Sequence, residues 1–295
     1  MSGIASVSVI GGGLMGSGIA QVCAQAGLPT TLCDVTPELT ARAQALIEKS
    51  LAQGVEKGKW SAEDQAAALS RLTLTTDVAV AAQRDLVIEA IVEDLAVKRA
   101  LFAALDASAP EPTILASNTS SLVIAELAVA TKRADRVCGL HFFNPVPLMP
   151  LVEIVRAVTT SDATMQGVSH LVLQLGKEPI QAKDRSGFVV NFLLVPYMLD
   201  AIRAFEHGVA SIEDIDTGMR LGCGHPMGPF TLLDFVGLDT VARIAEIMFE
   251  EYREARYASP PLLKRMVTAG WYGRKSGRGF YDYSAATPVV NAALG

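Results

Sequence analysis

Three glycines near the start of the chain, Gly11, Gly13 and Gly16, form the motif G-x-G-x-x-G. The first glycine of such a turn permits a tight bend, the second lets the backbone approach a pyrophosphate, and the third allows close packing of helix on strand. Amide groups and the dipole at the N-terminus of the next helix favour phosphate binding. Since a short apolar run precedes the glycines and a helical pattern follows them, the motif predicts a dinucleotide site.

A carboxylate completes this pattern, because Asp34 ends the next predicted strand, 18 residues beyond Gly16. At that position it can accept hydrogen bonds from both ribose hydroxyls and would repel a 2′-phosphate. The sequence therefore predicts NAD rather than NADP. The alternative is a glycine-rich turn followed by a helix-capping aspartate.

A histidine and a glutamate form the second candidate constellation. His141 ends a predicted strand, three prolines interrupt regular structure after it, and Glu153 lies inside the next strand. If the loop folds back, the carboxylate can contact one imidazole nitrogen, fix the tautomer and stabilise the imidazolium formed by proton transfer. A structural histidine, and a simple ion pair between Glu153 and Arg156, remain alternatives.

Hydroxyl and amide side chains follow another predicted strand in the segment Ala-Ser-Asn-Thr-Ser-Ser, which includes Ser120. The carboxyl ends of strands are where α/β sheets bind ligands. Alternatively, Ser120 or Ser121 caps a helix that begins at Leu122. Asn191, early in an apolar helix, needs a polar partner, and a packing hydrogen bond is the simpler explanation of it.

Charged candidates carry less specific signals. Lys49 and Lys57 are eight residues apart on one predicted helix, with Ser50 beside the first, so they share a face that can meet phosphates. A solvated helix face is the commoner explanation. The remaining charged candidates, each also readable as a surface charge, are Glu93, Lys98 and Lys275.

The elements that must position these residues alternate in the first part of the chain. Helices are predicted over Leu14–Ala26, from Pro37 to about Gly58, and over Glu63–Leu69 after a cap at Ser61. Such alternation implies right-handed crossovers and an α/β, Rossmann-like domain with a mostly parallel sheet. The predicted strands are Ala5–Ile10, Thr30–Asp34, Leu72–Thr75, Asp85–Ala90, Thr113–Ser117, Arg136–His141 and Leu151–Val155.

After about Arg185 the pattern becomes helical, and it predicts no strand. A boundary near Lys183–Gly187 gives a nucleotide-binding domain over residues 1–185 and an all-α domain over residues 186–295. The last segment, Ser284–Gly295, is expected to be a loosely held tail. The predicted helices are Phe188–Glu206, Ile212–Leu221, Phe230–Arg253 and Pro261–Val267.

Composition excludes several classes of protein. The 295 residues carry 25 basic and 31 acidic side chains, a net charge of −6, which argues against nucleic-acid binding. No apolar run reaches the roughly 18 residues that span a bilayer, and the N-terminus lacks the basic region of a signal peptide. The four cysteines form no CxxC pair, so we expect no structural zinc or other metal site, no disulfides, and a reducing, cytoplasmic location.

Several long segments, in this order, resemble the L-3-hydroxyacyl-CoA dehydrogenase family, with greatest similarity to its bacterial 3-hydroxybutyryl-CoA dehydrogenases. The resemblance runs from about Ile4 to Tyr283. It rests on the segments GGGLMGSGIAQ, VIEAIVEDLAVK, ASNTSSL, GLHFFNPVPLMPLVEIV, KDRSGFVVN, GHPMGPF and GRKSGRGFYDY.

The resemblance implies NAD-dependent oxidation of the C3 hydroxyl of a short-chain acyl-CoA, and the reverse reduction. His141 would be the general base and Glu153 its orienting partner. Ser120 and Asn191 would hydrogen-bond the C3 oxygen. The family also implies a homodimer formed through the helical domain.

The resemblance also assigns binding residues. The CoA contacts would be Ser50, Lys57 and Ser120. The NAD contacts would be Gly11, Gly13, Leu14, Met15, Gly16, Asp34, Glu93, Lys98, Ser120, Asn144 and Lys275.

Two other functions remain open at this point. One is a dehydrogenase of free hydroxy or sugar acids on the same architecture, which would not need Lys57. The other is a non-catalytic protein that retains NAD affinity, as in the related lens crystallins. The intact His-Phe-Phe-Asn-Pro-Val segment and Glu153 argue against both.

Overall fold

The structure, a computed structural model, describes residues 3–294, and the chain divides after Phe188 into two units. Helices and strands mostly alternate along the first unit. Its elements are β1 (Val7–Ile10), α1 (Leu14–Gln25), β2 (Thr30–Cys33), α2 (Pro37–Glu56), α3 (Ala62–Ser70), β3 (Leu72–Thr75), α4 (Val78–Ala81), β4 (Leu86–Glu89), α5 (Leu95–Ser108), β5 (Ile114–Ser117), α6 (Ile124–Ala128), β6 (Val137–Phe142), β7 (Leu151–Arg156), α7 (Asp162–Gln174) and β8 (Glu178–Lys183).

These strands form one sheet in the order β3-β2-β1-β4-β5-β6-β7-β8. Strands β6 and β7 pair antiparallel, and the other neighbours pair in parallel. The strand order reverses between β1 and β4, which is where open α/β sheets bind dinucleotides. The predicted Rossmann-like, mostly parallel sheet is confirmed.

Both faces of the sheet are covered. Val7 and Val9 of β1 pack into the apolar cluster on one face, whereas Ile10 packs into the cluster on the other. Because successive side chains on a strand point to opposite faces, a run of buried residues needs apolar packing on both. This explains why the strand has no exposed polar face.

The helices of the first unit differ in how they begin. Thr36 caps α2, Ser61 and Asp64 form a reciprocal capping box on α3, and Asp94 caps α5. Within residues 3–294, by contrast, no side chain caps α1, whose N-cap residue is Gly13. The first amides of a helix have no partner inside it, so those of α1 are suited to an anionic ligand.

The second unit is predominantly helical, as predicted. Its core surrounds Phe230, Tyr257 and Phe280, which are fully buried. Its elements are α8 (Val190–Glu206), α9 (Ile212–Gly222), α10 (Pro229–Val236), α11 (Leu238–Tyr252), α12 (Pro261–Thr268), β9 (Tyr281–Asp282) and β10 (Val289–Val290). Single turns of 3₁₀ helix lie at Ala134–Arg136, Ala255–Tyr257, Arg274–Ser276 and Ala292–Leu294.

Three predictions for this unit are wrong. The pattern predicts no strand here, but β9 and β10 form an antiparallel pair. The helix predicted over Phe230–Arg253 is interrupted at Gly237, whose φ of +100° is a left-handed conformation that favours glycine. The segment after Ser284 is not a loose tail, because β10 pairs with β9 and the side chain of Asn291 is fully buried. Asn291 accepts a hydrogen bond from Arg278 and donates one to the carbonyl of Gly279.

The sequence also gave no indication of β8, which pairs in parallel with β7 at the edge of the sheet. It contains Pro179 and alternates poorly between buried and exposed residues. Proline is tolerated on an edge strand because no further strand needs its missing amide.

Two further observations concern the chain as described. The four cysteines within residues 3–294 are free thiols, three of them buried. None of the helices in that range combines the length and apolar character that a bilayer crossing requires.

Gly139 of β6 tests how tightly the sheet is packed near the candidate site. A Cβ at this position would lie 2.7 Å from Val155 Cβ and 3.0 Å from Ile124 Cδ1. Overpacking of this kind costs about 1–3 kcal/mol, so Gly139→Ala should lower the free energy of unfolding in urea by that amount.

Gly167→Ala is the matched control, since Gly167 lies inside α7 and its added Cβ would be 3.8 Å from Ile114 Cδ1. Replacing a helical glycine by alanine should raise stability by about 0.5–1 kcal/mol. Equal stability changes in the two variants would contradict the packing described here.

Candidate active site

The carboxyl ends of four neighbouring strands lie in register. Ile10 pairs with Glu89, Glu89 with Ser117, and Ser117 with Gly139. The glycine turn follows Ile10 and the hydroxyl-rich segment follows Ser117, so the sheet brings these predicted regions to one edge. His141 lies two residues beyond Gly139, on the part of β6 that extends past the end of β5.

The glycine turn has the steric features that a dinucleotide requires. A Cβ on Gly11 would lie 2.6 Å from the carbonyl oxygen of Ala90, and one on Gly16 would lie 1.8 Å from that of Gly11. A Cβ on Gly13 meets no atom within 4 Å among the residues described. The first and third glycines are therefore needed for packing, whereas the second leaves open space in front of α1, which begins with Leu14 and Met15.

Asp34 is held against this turn. One carboxylate oxygen accepts a hydrogen bond from the Gly12 amide at 2.6 Å, and the other accepts one from the Val35 amide at 2.7 Å. The side chain is therefore fixed beside the opening at Gly13, where ribose hydroxyls would meet it. These residues fit NAD on both steric and electrostatic grounds.

The register of β6 and β7 places His141 directly opposite Glu153. His141 Nδ1 lies 2.6 Å from Glu153 Oε2, and the two residues are 6% and 0% exposed. With Glu153 ionised, its carboxylate can only accept, so Nδ1–H donates to it. In the neutral ring the lone pair is then on Nε2. The rings of Phe143 and Phe188 flank the imidazole at 4.5 and 5.7 Å between centroids.

Lys177 fixes the loop that joins these two strands, and sequence reasoning missed it. Its side chain is buried, and Nζ donates to the carbonyl oxygens of Val146 and Met149, both at 2.7 Å. Burial lowers the pKa of Lys177 below its ordinary value. Val146 packs so closely on α1 that a Cβ at Gly18 would lie 2.8 Å from it. The loop is therefore held to the helix that follows the glycine turn.

The segment that carries Ser120 does not form the helix cap that was the alternative prediction. The helix after it, α6, begins at Ile124, where the amides of Ile124 and Ala125 donate to the Asp184 carboxylate at 2.6 and 2.7 Å. Ser120 is half-buried, and its amide donates to Glu93 Oε1 at 3.2 Å. Asp184 gave no sequence signal, since it is 60 residues from its partner.

Glu93 and Lys98 are not ordinary surface charges. Lys98 is 1% exposed and its ammonium lies 2.6 Å from Glu89 Oε1 and 3.1 Å from Glu93 Oε2. Sequence reasoning also missed Glu89, the fully buried carboxylate of this cluster. The only available signal was its position at the end of β4.

The other predicted site residues lie as follows. Ser50 is half-buried on α2, and Lys57 is the exposed residue that ends this helix. Asn144 is exposed in the loop after β6. In the second unit, Asn191 is half-buried in the first turn of α8, and Lys275 Nζ pairs with Asp239 at 2.6 Å.

Three features of this unit are typical of a nicotinamide-dependent dehydrogenase. They are a glycine turn before an uncapped helix, an aspartate after the second strand, and a buried imidazole–carboxylate pair. Comparison with known proteins specifies the family. A family model for the NAD binding domain of 3-hydroxyacyl-CoA dehydrogenase matches residues 6–185, and one for its C-terminal domain matches residues 187–283.

Individual relatives agree. The 3-hydroxybutyryl-CoA dehydrogenase of Mycobacterium tuberculosis is 51% identical over 282 residues, covering 95% of this chain and 99% of its own. Human mitochondrial hydroxyacyl-coenzyme A dehydrogenase is 50% identical over 285 residues, covering 94% of this chain and 90% of the human protein. The crystal structure of (S)-3-hydroxybutyryl-CoA dehydrogenase PaaH1 from Ralstonia eutropha superposes with a TM-score of 0.92 at 43% identity. The match covers 96% of this chain and 100% of the Ralstonia chain.

The chain therefore belongs to the 3-hydroxyacyl-CoA dehydrogenase family of NAD-dependent oxidoreductases. The predicted family, the enzyme class and the cofactor NAD are confirmed.

Proposed function

We propose that this protein oxidises short-chain (S)-3-hydroxyacyl-CoA, such as 3-hydroxybutyryl-CoA, to the 3-ketoacyl-CoA with NAD, and catalyses the reverse reduction. The observation that carries the proposal is the buried 2.6 Å contact between His141 and Glu153 beside the carboxyl ends of the strands. The short chain is supported by relatives named 3-hydroxybutyryl-CoA dehydrogenase.

His141 is the general base of the oxidation and the general acid of the reduction. Its Nε2 takes the proton of the C3 hydroxyl, since Nδ1 is engaged by Glu153. As the ring becomes positively charged, the Glu153 carboxylate stabilises it and keeps its orientation. The flanking rings of Phe143 and Phe188 limit access of water to the imidazole.

Ser120 and Asn191 donate hydrogen bonds to the C3 oxygen as its charge develops. Donors that are fixed before the reaction lower the barrier because they need no reorganisation. The Ser120 assignment is supported by its fixed main chain near the end of β5.

Bound NAD supplies the hydride acceptor of the oxidation. The chain holds it through the glycine turn and the first residues of α1, Leu14 and Met15, with Asp34 on the ribose. Further contacts come from Glu93, Lys98, Ser120, Asn144 and Lys275. The Lys98 ammonium already has two carboxylate partners, so it acts on NAD mainly by orienting Glu93.

Ser50, Lys57 and Ser120 contact the CoA part of the substrate. Ser50 and Lys57 are seven residues apart around the end of α2, so they lie on one face about two turns apart. A lysine at the end of a helix is free to reach a phosphate group.

The protein assembles as a homodimer through its helical unit. Apolar side chains exposed in that unit, such as Leu193 at 65% and Leu221 at 68%, would be covered at such an interface. Sedimentation equilibrium should return twice the chain mass, and a monomer mass would contradict the assembly.

The cytoplasmic location stays a prediction.

The proposed reaction is tested by mixing the protein with NADH and acetoacetyl-CoA and following NADH absorbance. We expect NADH consumption that depends on both the protein and the CoA ester, with the highest kcat/KM for the shortest members of a 3-ketoacyl-CoA series. Heat-inactivated protein is the blank. Turnover of free acetoacetate at a comparable kcat/KM, or no turnover of any CoA ester, would contradict the proposal.

His141→Ala tests the role of the imidazole. Removing the base should lower kcat by a factor of about 10² to 10⁴, while the Kd for NADH changes little because the glycine turn and Asp34 are intact. Glu153→Gln should lower kcat less, since the imidazole remains but loses the charge that stabilises its protonated form.

His170→Ala is the matched control, because His170 is an exposed histidine on α7. Its kcat and its Kd for NADH should equal those of the unmodified protein. Parallel loss of NADH binding and turnover in His141→Ala would indicate a structural histidine instead.

A further inference from the structure

A cluster of three charged side chains, two of them buried, lies between the end of β4 and the segment that carries Ser120. Its first member, Glu89, is fully buried. Its Oε1 accepts hydrogen bonds from the Ile91 amide at 2.7 Å and from Lys98 Nζ at 2.6 Å. Its Oε2 accepts one from Ser117 Oγ at 2.6 Å. Both oxygens are therefore occupied, and the carboxylate has one well-defined orientation.

Lys98 links this carboxylate to a second one. Its Nζ also lies 3.1 Å from Glu93 Oε2, and only 1% of its side chain is exposed. The two carboxylates share a single ammonium group, so each of them limits where that group can lie. A buried charge without such partners would be very costly.

Glu93 in turn holds three consecutive residues of the segment after β5. Its Oε1 accepts hydrogen bonds from Thr119 Oγ1, from the Ser120 amide at 3.2 Å and from Ser121 Oγ at 2.9 Å. Burial raises the pKa of Glu93, but Lys98 and the two hydroxyl donors outweigh it and hold the pKa below its ordinary value. The acceptor of all three bonds is therefore an ionised carboxylate at neutral pH.

We propose that Glu89 is a positioning residue for the Ser120 hydroxyl, acting through Lys98 and Glu93. It fixes Lys98, and Lys98 fixes Glu93. Glu93 then holds the Ser120 amide and the hydroxyl groups of the residues on either side of it. Glu89 also holds Ser117, which ends the strand leading into the same segment, so its charge restrains Ser120 from two directions. The proposal rests on the proposed role of Ser120 as a donor to the C3 oxygen.

Replacing Glu89 by glutamine keeps the shape and removes the charge. The amide offers one acceptor oxygen where the carboxylate offers two, while Lys98, the Ile91 amide and Ser117 all donate to Glu89. At least one of these donors must then face an NH₂ group or move. Lys98 loses its attraction to Glu89 and shifts toward Glu93, which changes the position of the Ser120 segment.

A double-mutant cycle tests the coupling in the full-length protein. The four proteins are the unmodified enzyme, Glu89→Gln, Ser120→Ala and the double variant, and the readout is the single-turnover rate of NADH oxidation with acetoacetyl-CoA. Glu89→Gln should slow the reaction about 10- to 100-fold when Ser120 is present, because a small misplacement of a reacting group has effects of that size. It should slow the Ser120→Ala enzyme less than about twofold, since the positioned hydroxyl is already absent.

Asp106→Asn is the matched control. Asp106 lies on α5, the helix that carries Lys98, and makes a largely buried ion pair with Arg133 at 2.7 Å. It has no bond to the Ser120 segment among those observed in residues 3–294. If Asp106→Asn slows the reaction by loosening the fold, it should do so by the same factor with Ser120 present and in the Ser120→Ala enzyme.

Two outcomes would overturn the inference, and a substitute variant covers a failure to fold. An equal loss on Glu89→Gln in both backgrounds would overturn the positioning role and leave the proposed function intact. An unmodified rate in Ser120→Ala would overturn the proposed role of Ser120 and this inference together. If Glu89→Gln does not fold, judged by circular dichroism, Glu89→Asp replaces it, since that variant keeps the charge and shortens the side chain. The same non-additivity is then expected with a smaller loss.

Discussion

The antiparallel register of β6 and β7 is the constraint on which the candidate site depends. It makes His141 and Glu153 direct cross-strand partners, so their contact follows from main-chain pairing and needs no flexible loop to bring them together. A slip of one residue would turn Glu153 to the opposite face of the sheet. The contact also makes the burial of Glu153 tolerable, because an unpartnered carboxylate at 0% exposure would be strongly destabilising.

The reversal of the chain between these strands must therefore be held as firmly as the strands themselves. Lys177 does this with two hydrogen bonds to loop carbonyls, and Val146 does it by packing against Gly18 of α1. As a result, one loop connects the imidazole–carboxylate pair to the helix whose N-terminus faces the nucleotide site. The proposed catalytic pair and the glycine turn are consequently parts of one packed body.

The sequence was sufficient for the features that depend on local physics. Alternating strands and helices, the glycine turn and Asp34 were predictable because glycine conformation, capping and periodicity act over a few residues. Three features were not predictable from the sequence, because they depend on tertiary packing or on a remote partner such as Asp184. They are the break at Gly237, the edge strand β8 and the start of α6. Likewise, no local pattern distinguishes the buried Lys98 from a surface lysine.

The first unit buries carboxylates in two chemically different ways. Glu153 is paired with an imidazole, a group that can accept and release a proton, whereas Glu89 and Glu93 share a lysine ammonium. A partner that gains and loses a proton suits the proposed base, because its charge must change during the reaction. A partner that takes no part in the proposed proton transfer suits a scaffold, because the positions of its neighbours must not change. The proposed proton transfer at His141 therefore uses a different carboxylate from the two that hold the segment of Ser120.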